Sequence, residues 1–291
     1  MVAATLRVVT ANDTVRHALR APQDLDLTAI DARGRPVGPR DKDSAAAAMT
    51  ELEGRLDPLQ EALYAEAAGG GRRAVLLVLQ GMDTSGKGGV IEHAAGAMNP
   101  QGLQIASFKK PTTEELAHDF LWRIRKQVPT AGKIGVFDRS HYEDVLVVRV
   151  NGLVPEREWR SRYSAIRDFE AELVASGVAI VKCLLHISPQ EQQERLLARL
   201  DDPAKRWKYN PGDVDVRARW HDYRAAYTDA VAATDTDAAP WYVVPSDRKW
   251  YRNWAVSALL AETLAELAPQ FPAPSYDVAT ERRRVQASVI R

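Results

Sequence analysis

Nine residues, Gly81-Met-Asp-Thr-Ser-Gly-Lys-Gly-Gly89, have the spacing of a phosphate-binding loop, G-x-x-x-x-G-K. Glycine lets the backbone fold tightly enough for several amides to face one anion, and a helix starting after the loop adds its positive dipole end. Gly81, Ser85, Gly86, Gly88 and Gly89 form this cradle, and Lys87 is the cation over the outer phosphates of a bound substrate. A glycine-rich turn bearing a solvated lysine would give a similar string. Here, however, an apolar strand over 75–80, the loop, the lysine and a helix over about 88–98 fall in register.

One position departs from the common pattern. Gly88 stands where most such loops place a Ser or Thr hydroxyl on magnesium. The metal must then find oxygen elsewhere, and Asp83, inside the loop, is chemically suited because magnesium favours carboxylate, water and phosphate oxygens. Capping of the loop backbone is the other role open to Asp83.

A second carboxylate, Asp138, ends the apolar run 134–137, at the strand end where parallel sheets bind ligands. It could hold magnesium or take a proton from an attacking phosphate, with Arg139 bracing a phosphoryl group. Capping of a following helix is the alternative. Glu143, one turn further on, could join the metal shell or lie on a helix surface. His141 has no neighbour marking it as a nucleophile, which favours direct transfer over a phosphohistidine intermediate.

The third anchor is basic. Arg195 and Arg199 are four apart and share a helix face, and Lys205, Arg206 and Lys208 crowd the following loop. Such a segment can close over phosphates, offset the charge of a transferring group and exclude water. Pairing with Glu194, Asp201 and Asp202 on a solvated helix end is the bland alternative. Lys109 and Lys110 follow the run 103–108 at the same edge and could line a track for an extended anion, an ordinary exposed turn being the alternative. The aromatic-rich run 241–254, with 247–253 inside it, could position a base or a neighbouring subunit; such aromatics are more often core, and the run is left unassigned.

The elements that position these groups alternate strand and helix. Strands are expected over 75–80, 103–108, 134–137, 178–187 and 241–244, and helices over 44–68, 88–98, 113–127, 156–175, 189–200, 214–234 and 253–267. That order gives an α/β fold with a parallel sheet covered on both faces. Residues 1–44 read as an arm draped over a domain at 45–270, whose lid is about 189–213, and 271–291 as a tail. The chain has 291 residues, with Lys plus Arg and Asp plus Glu balanced at 39 each, so no basic field points to nucleic acid. The single cysteine, Cys183, cannot form an internal disulfide and fits a cytoplasmic address. No apolar run reaches membrane-spanning length.

These motifs in order, with Phe137-Asp-Arg-Ser-His-Tyr-Glu-Asp144, the stretch 199–208 and Ala239-Pro-Trp-Tyr-Val-Val-Pro245, resemble the polyphosphate kinase 2 family over roughly residues 45–270. The resemblance implies a three-layer P-loop kinase fold with a helical lid, and magnesium-dependent phosphoryl transfer between inorganic polyphosphate and a nucleotide. Manganese is the alternative cation. It further implies that Asp83 and Asp138 are catalytic and metal-associated, that Lys87, Arg139 and the lid cations hold the phosphate chain, and that the protein is a homo-oligomer. The stretch 140–150 is similar to members acting on both AMP and ADP, whereas Gly88-Gly89 is similar to members confined to one step. The acceptor therefore stays open between mono- and diphosphate, adenine or guanine. An ATP-dependent kinase of nucleoside-monophosphate type, a nucleotide-dependent switch and a polyphosphate binder without turnover remain rivals.

Overall fold

The computed structural model describes residues 14–290. Five strands, β1 (Ala74–Gln80), β2 (Leu103–Ser107), β3 (Ile134–Asp138), β4 (Val178–His186) and β5 (Trp241–Pro245), form one sheet in the order β2-β3-β1-β4-β5. All four pairings are parallel. Every residue of β1 is buried, as a strand covered on both faces requires.

Side-chain alternation sorts the strands into two cores. Leu76, Val78, Phe137, Ile180 and Leu184 face the helices Glu156–Ala175 and Trp220–Thr234, meeting Ile166, Phe169, Tyr227 and Val231. Val75, Leu77, Leu79, Val136, Val181 and Cys183 face the helices Lys42–Ala68 and Lys249–Leu267, meeting Leu56, Leu63, Leu259 and Leu260. The result is helix, sheet, helix. It is the α/β architecture with a central parallel sheet that strand–helix alternation predicts.

From β1 the chain runs outward to β2 and β3, then returns across β1 to β4 and β5. The direction of winding therefore reverses beside β1, and the crevice at the carboxyl ends of β1 and β3 is the topological switch point of the sheet.

Several boundaries differ from the sequence reading. The expected helix over 113–127 splits into single turns Thr113–Leu116 and Trp122–Arg125. The Asp119 side chain accepts from the Leu121 amide at 2.9 Å, a local bond that competes with helix continuation. The helix over 214–234 breaks at Arg219 into Gly212–Ala218 and Trp220–Thr234, and the closing helix starts at Lys249 rather than Asn253. After the loop, a short α turn Lys87–Val90 passes into a π turn Ile91–Ala95.

Of the expected arm, residues 1–13 lie outside the described residues. From Thr14 the chain packs on the domain: Val15 and Leu19 enter one core, and Leu25 and Leu27 the other. Beyond the closing helix, Val278–Ala287 forms a helix with no buried residue.

Candidate active site

Buried β1 delivers the chain to Gly81, whose φ of +148° belongs to the region that glycine alone adopts freely. Gly86, at φ +108°, has no room for anything larger, since a Cβ there would meet Arg252 Nη1 at 1.7 Å. Thr84, between them, holds φ +63° without being glycine, a strained conformation of the kind that clusters at functional sites. Lys87 opens the helix and folds back over the loop, its Nζ donating to the Gly81 carbonyl at 2.8 Å. Burial pushes its pKa down and Arg139 adds to the effect, while the carboxylates of Asp83, Asp138 and Glu143 oppose it.

Arg139 reaches across from the end of β3. Its Nη2 donates to Asp83 Oδ1 at 2.8 Å, so loop and strand end are tied by an ion pair. Its φ of +64° is a second non-glycine left-handed conformation in the site. Burial alone would lower its pKa, but Glu143 and Asp83 outweigh that and hold it above its ordinary value. Register sets Asp138 beside Leu79 and Ser107, with the Phe108 amide donating to its carbonyl at 3.0 Å. Its carboxylate has no hydrogen-bond or ion-pair partner among the described residues. Glu143 sits behind this pair: the Gln80 amide donates to its Oε1 at 3.1 Å while accepting from Ser140 Oγ at 3.0 Å. Burial raises the Glu143 pKa, against the lowering pull of Arg139 and Lys87.

Two buried arginines, both lining the cleft over the loop, clamp the loop backbone. Arg195 Nη1 donates to the carbonyls of Thr84 at 2.8 Å and Ser85 at 3.1 Å, and its Nη2 to those of Ser246 at 2.7 Å and Asp247 at 2.9 Å. Arg252 Nη1 donates to the Ser85 carbonyl at 3.0 Å, and its Nη2 to Asn253 Oδ1 at 2.8 Å. Burial, then repulsion from Arg195, pulls the Arg252 pKa down. These bonds occupy the carbonyls of Thr84 and Ser85 and so fix the path of the loop backbone. Gln192 adds a bond to the Asp83 carbonyl at 3.0 Å. Arg195 thus holds the loop, whereas its sequence position suggested a mobile cation.

The cleft over the loop has a volume of about 760 Å³. Asp83, Gly86, Lys87, Gly88, Gly89, Lys109, Asp138, Arg139, Arg199, Lys205 and Lys208 all line it, so nearly every residue read from the sequence converges there. Gly81 and Ser85 lie behind the lining, where the Ser85 hydroxyl is buried and finds no partner among the described residues. Arg206 is also outside it, its Nε donating to the Leu200 carbonyl at 2.8 Å. Two lid cations are partly offset: Lys205 lies 2.7 Å from Asp202, and Arg199 lies 3.5 Å from Asp213. Lys109, Lys208 and Lys249 line the cleft with no ion pair among the described residues. Sequence reasoning missed Lys249 and Arg252. The signal was three cations, Arg248, Lys249 and Arg252, within residues 247–253 of an aromatic-rich run that carried no assignment.

Among the described residues no three His, Cys, Asp or Glu gather as a protein-only metal site. The donor set nonetheless fits magnesium, which keeps waters and takes one or two carboxylates plus substrate phosphates. Asp138 is wholly free for that purpose, and Asp83 retains the oxygen that Arg139 does not engage.

A glycine-rich strand-to-helix loop with a buried lysine, set at the switch point of a parallel sheet beside a carboxylate-ended strand, defines a P-loop α/β protein. The family model Polyphosphate kinase 2 (PPK2) matches residues 39–272, and the chain belongs to that family. It is 50% identical over 241 residues to the AMP/ADP-polyphosphate phosphotransferase of Meiothermus ruber, covering 83% of this chain and 88% of that protein. It is 45% identical to the ADP-polyphosphate phosphotransferase of Rhodopseudomonas palustris, covering 77% and 80%. The crystal structure of polyphosphate kinase 2 from Arthrobacter aurescens TC1 superposes with a TM-score of 0.92 at 48% identity, covering 94% of this chain and 97% of that one.

Proposed function

We propose that this protein is a phosphotransferase that moves a phosphoryl group between inorganic polyphosphate and a nucleoside mono- or diphosphate. The observation that carries this reading is convergence: a buried loop lysine, two carboxylates and a set of lysines with no ion pair among the described residues share one cleft. Family membership and the activities named for its relatives support it.

Little covalent chemistry is asked of a protein in phosphoryl transfer; position and electrostatics do the work. Loop amides and Lys87 hold the terminal phosphate. Arg139, braced by Asp83, faces the charge that spreads over the transferring group, while Lys109, Lys208 and Lys249 neutralise the chain behind it. The acceptor's terminal phosphate oxygen attacks in line, and no covalent enzyme intermediate forms. In this reading Asp138 orients the attacking oxygen or takes its proton. Magnesium, or manganese, would be held by Asp83 and Asp138 together with substrate phosphates, and would supply further neutralisation of that charge.

Balanced overall charge and a single buried cysteine favour a cytoplasmic enzyme acting on nucleotides rather than nucleic acid, and we take it to work as a homo-oligomer. Among the described residues, no helix is long and apolar enough to cross a membrane. The test is direct: purified protein with magnesium, long-chain polyphosphate and AMP, ADP or GDP should form new nucleotide. Transfer from ATP alone, with polyphosphate ignored, would replace this reading with that of an ordinary small-molecule kinase.

A further inference from the structure

A second concavity, of about 390 Å³, is lined by Arg33, Arg35, Arg40 and Arg248 with one carboxylate, Asp31. None of the four guanidiniums forms an ion pair with any described residue. In a chain whose charges balance overall, four arginines against one carboxylate around one hollow give it a net positive charge that favours an anion. The hollow is built rather than incidental. Arg35 donates to the Arg40 carbonyl and Arg248 to the Arg33 carbonyl, so two of the arginines hold the backbone that presents the other two. The Asp247 amide donates to the Ala32 carbonyl at 3.0 Å, stitching this segment to the carboxyl end of β5.

Its location identifies the ligand. Arg248 lines this hollow and Lys249, the next residue, lines the catalytic cleft. Successive Cα atoms are about 3.8 Å apart, so the hollow and the cleft meet at this one point of the backbone. An anion spanning both must be long, flexible and charged along its length. We propose that the arginine hollow is an exosite for the distal part of a polyphosphate chain whose end occupies the cleft. This rests on the function proposed above and adds a prediction that function does not make: the hollow favours long chains and ignores short ones.

Arg33 and Arg40 are the residues to change, because their guanidiniums make no hydrogen bond within the described structure. In Arg33→Gln/Arg40→Gln, KM for long-chain polyphosphate should rise on the order of fivefold at low salt, with kcat and the KM for nucleotide and for tripolyphosphate unchanged. The salt dependence of long-chain binding should flatten by about two in log–log slope, one for each lost phosphate contact. Arg33→Lys/Arg40→Lys should recover most of the loss. An unchanged long-chain KM overturns the exosite, and so does an equal rise for long chains and tripolyphosphate. Direct binding of long-chain polyphosphate and of inorganic phosphate, without nucleotide, separates the two claims. Should the wild-type protein form no nucleotide, weaker long-chain binding by the Gln variant still supports the exosite, and equal binding still rejects it.

Discussion

The segment Asp138–Asp144 enters two polar environments that handle charge in opposite ways. Its first two residues face the phosphate cleft. His141 and Tyr142 face a buried cluster against the helix Glu156–Ala175. There Lys182 Nζ lies 2.6 Å from Glu170 Oε2 and donates to the Thr234 carbonyl at 2.8 Å, Tyr142 donates to Glu170 Oε1 at 2.8 Å, and His141 Nε2 lies 3.3 Å from that same oxygen. Lys182 is 0% exposed, and its charge closes on its neighbours. In the cleft, Asp138, Lys109, Lys208 and Lys249 have no ion-pair partner among the described residues, and Arg195 and Arg252 are occupied by carbonyls that shape the loop. A charge satisfied inside the fold holds structure; a charge left open at a strand end waits for a ligand.

That contrast predicts a separation of effects. Asp138→Asn, which breaks no described hydrogen bond, should lower kcat by about 10²–10³ with nucleotide affinity and Tm nearly unchanged. Asp83→Asn should cost as much or more, because it also releases Arg139. Near-normal turnover in either variant would end their assignment as catalytic carboxylates. Lys182→Met is the mirror case. It strands Glu170 in the interior and should cost about 3–5 kcal/mol, a fall in Tm of roughly 10 °C, while the molecules still folded keep their turnover. A large loss of kcat with intact Tm would mean that the buried cluster takes part in the chemistry.

The same division explains what was legible in the sequence. The strand, loop and lysine of residues 75–87 and the carboxylate at 138 are local patterns, since each depends on neighbours a few positions away. The clamp is not local: Arg195 meets Ser85 across 110 residues and Arg252 meets it across 167, and a cation bonded to backbone carbonyls leaves no pattern in side-chain types. Arg195 was visible as a cation but not as a structural one. The packing of Val15, Leu19, Leu25 and Leu27 on the domain was hidden in a stretch without periodicity, because single apolar anchors at turns have no period to read. Asp119 shows the converse, where a helical pattern over 113–127 lost to one side-chain bond.

pH should sharpen the contrast further. Burial lowers the Lys87 pKa below the ordinary lysine value, so the free enzyme should lose kcat/KM on an alkaline limb that lies below that value. Stability moves the other way. A lysine whose folded pKa is depressed costs stability while charged, and the cost fades as pH rises through that pKa, so this group does not unfold the protein on the alkaline side. Activity should therefore fall while Tm holds. In Asp83→Asn the residual activity should show its limb at lower pH still, because the Asp83 charge is the strongest influence raising the Lys87 pKa. A limb that stays put would mean another group sets it.

The smallest predicted effect lies within the lid. Lys208 and Arg206 are two residues apart with the same formal charge, but only Lys208 lines the cleft; Arg206 turns its Nε to the Leu200 carbonyl. Lys208→Ala should raise KM for polyphosphate about three- to fivefold at low salt, with the difference shrinking as salt screens it. Arg206→Ala should change KM less than about twofold at any salt, losing one exposed hydrogen bond and no substrate contact. Equal effects in the two variants, measured across a salt series, would mean that lid charge acts through its long-range field rather than by contact. The contrast between open and satisfied cations would then fail at the lid, where both types sit side by side.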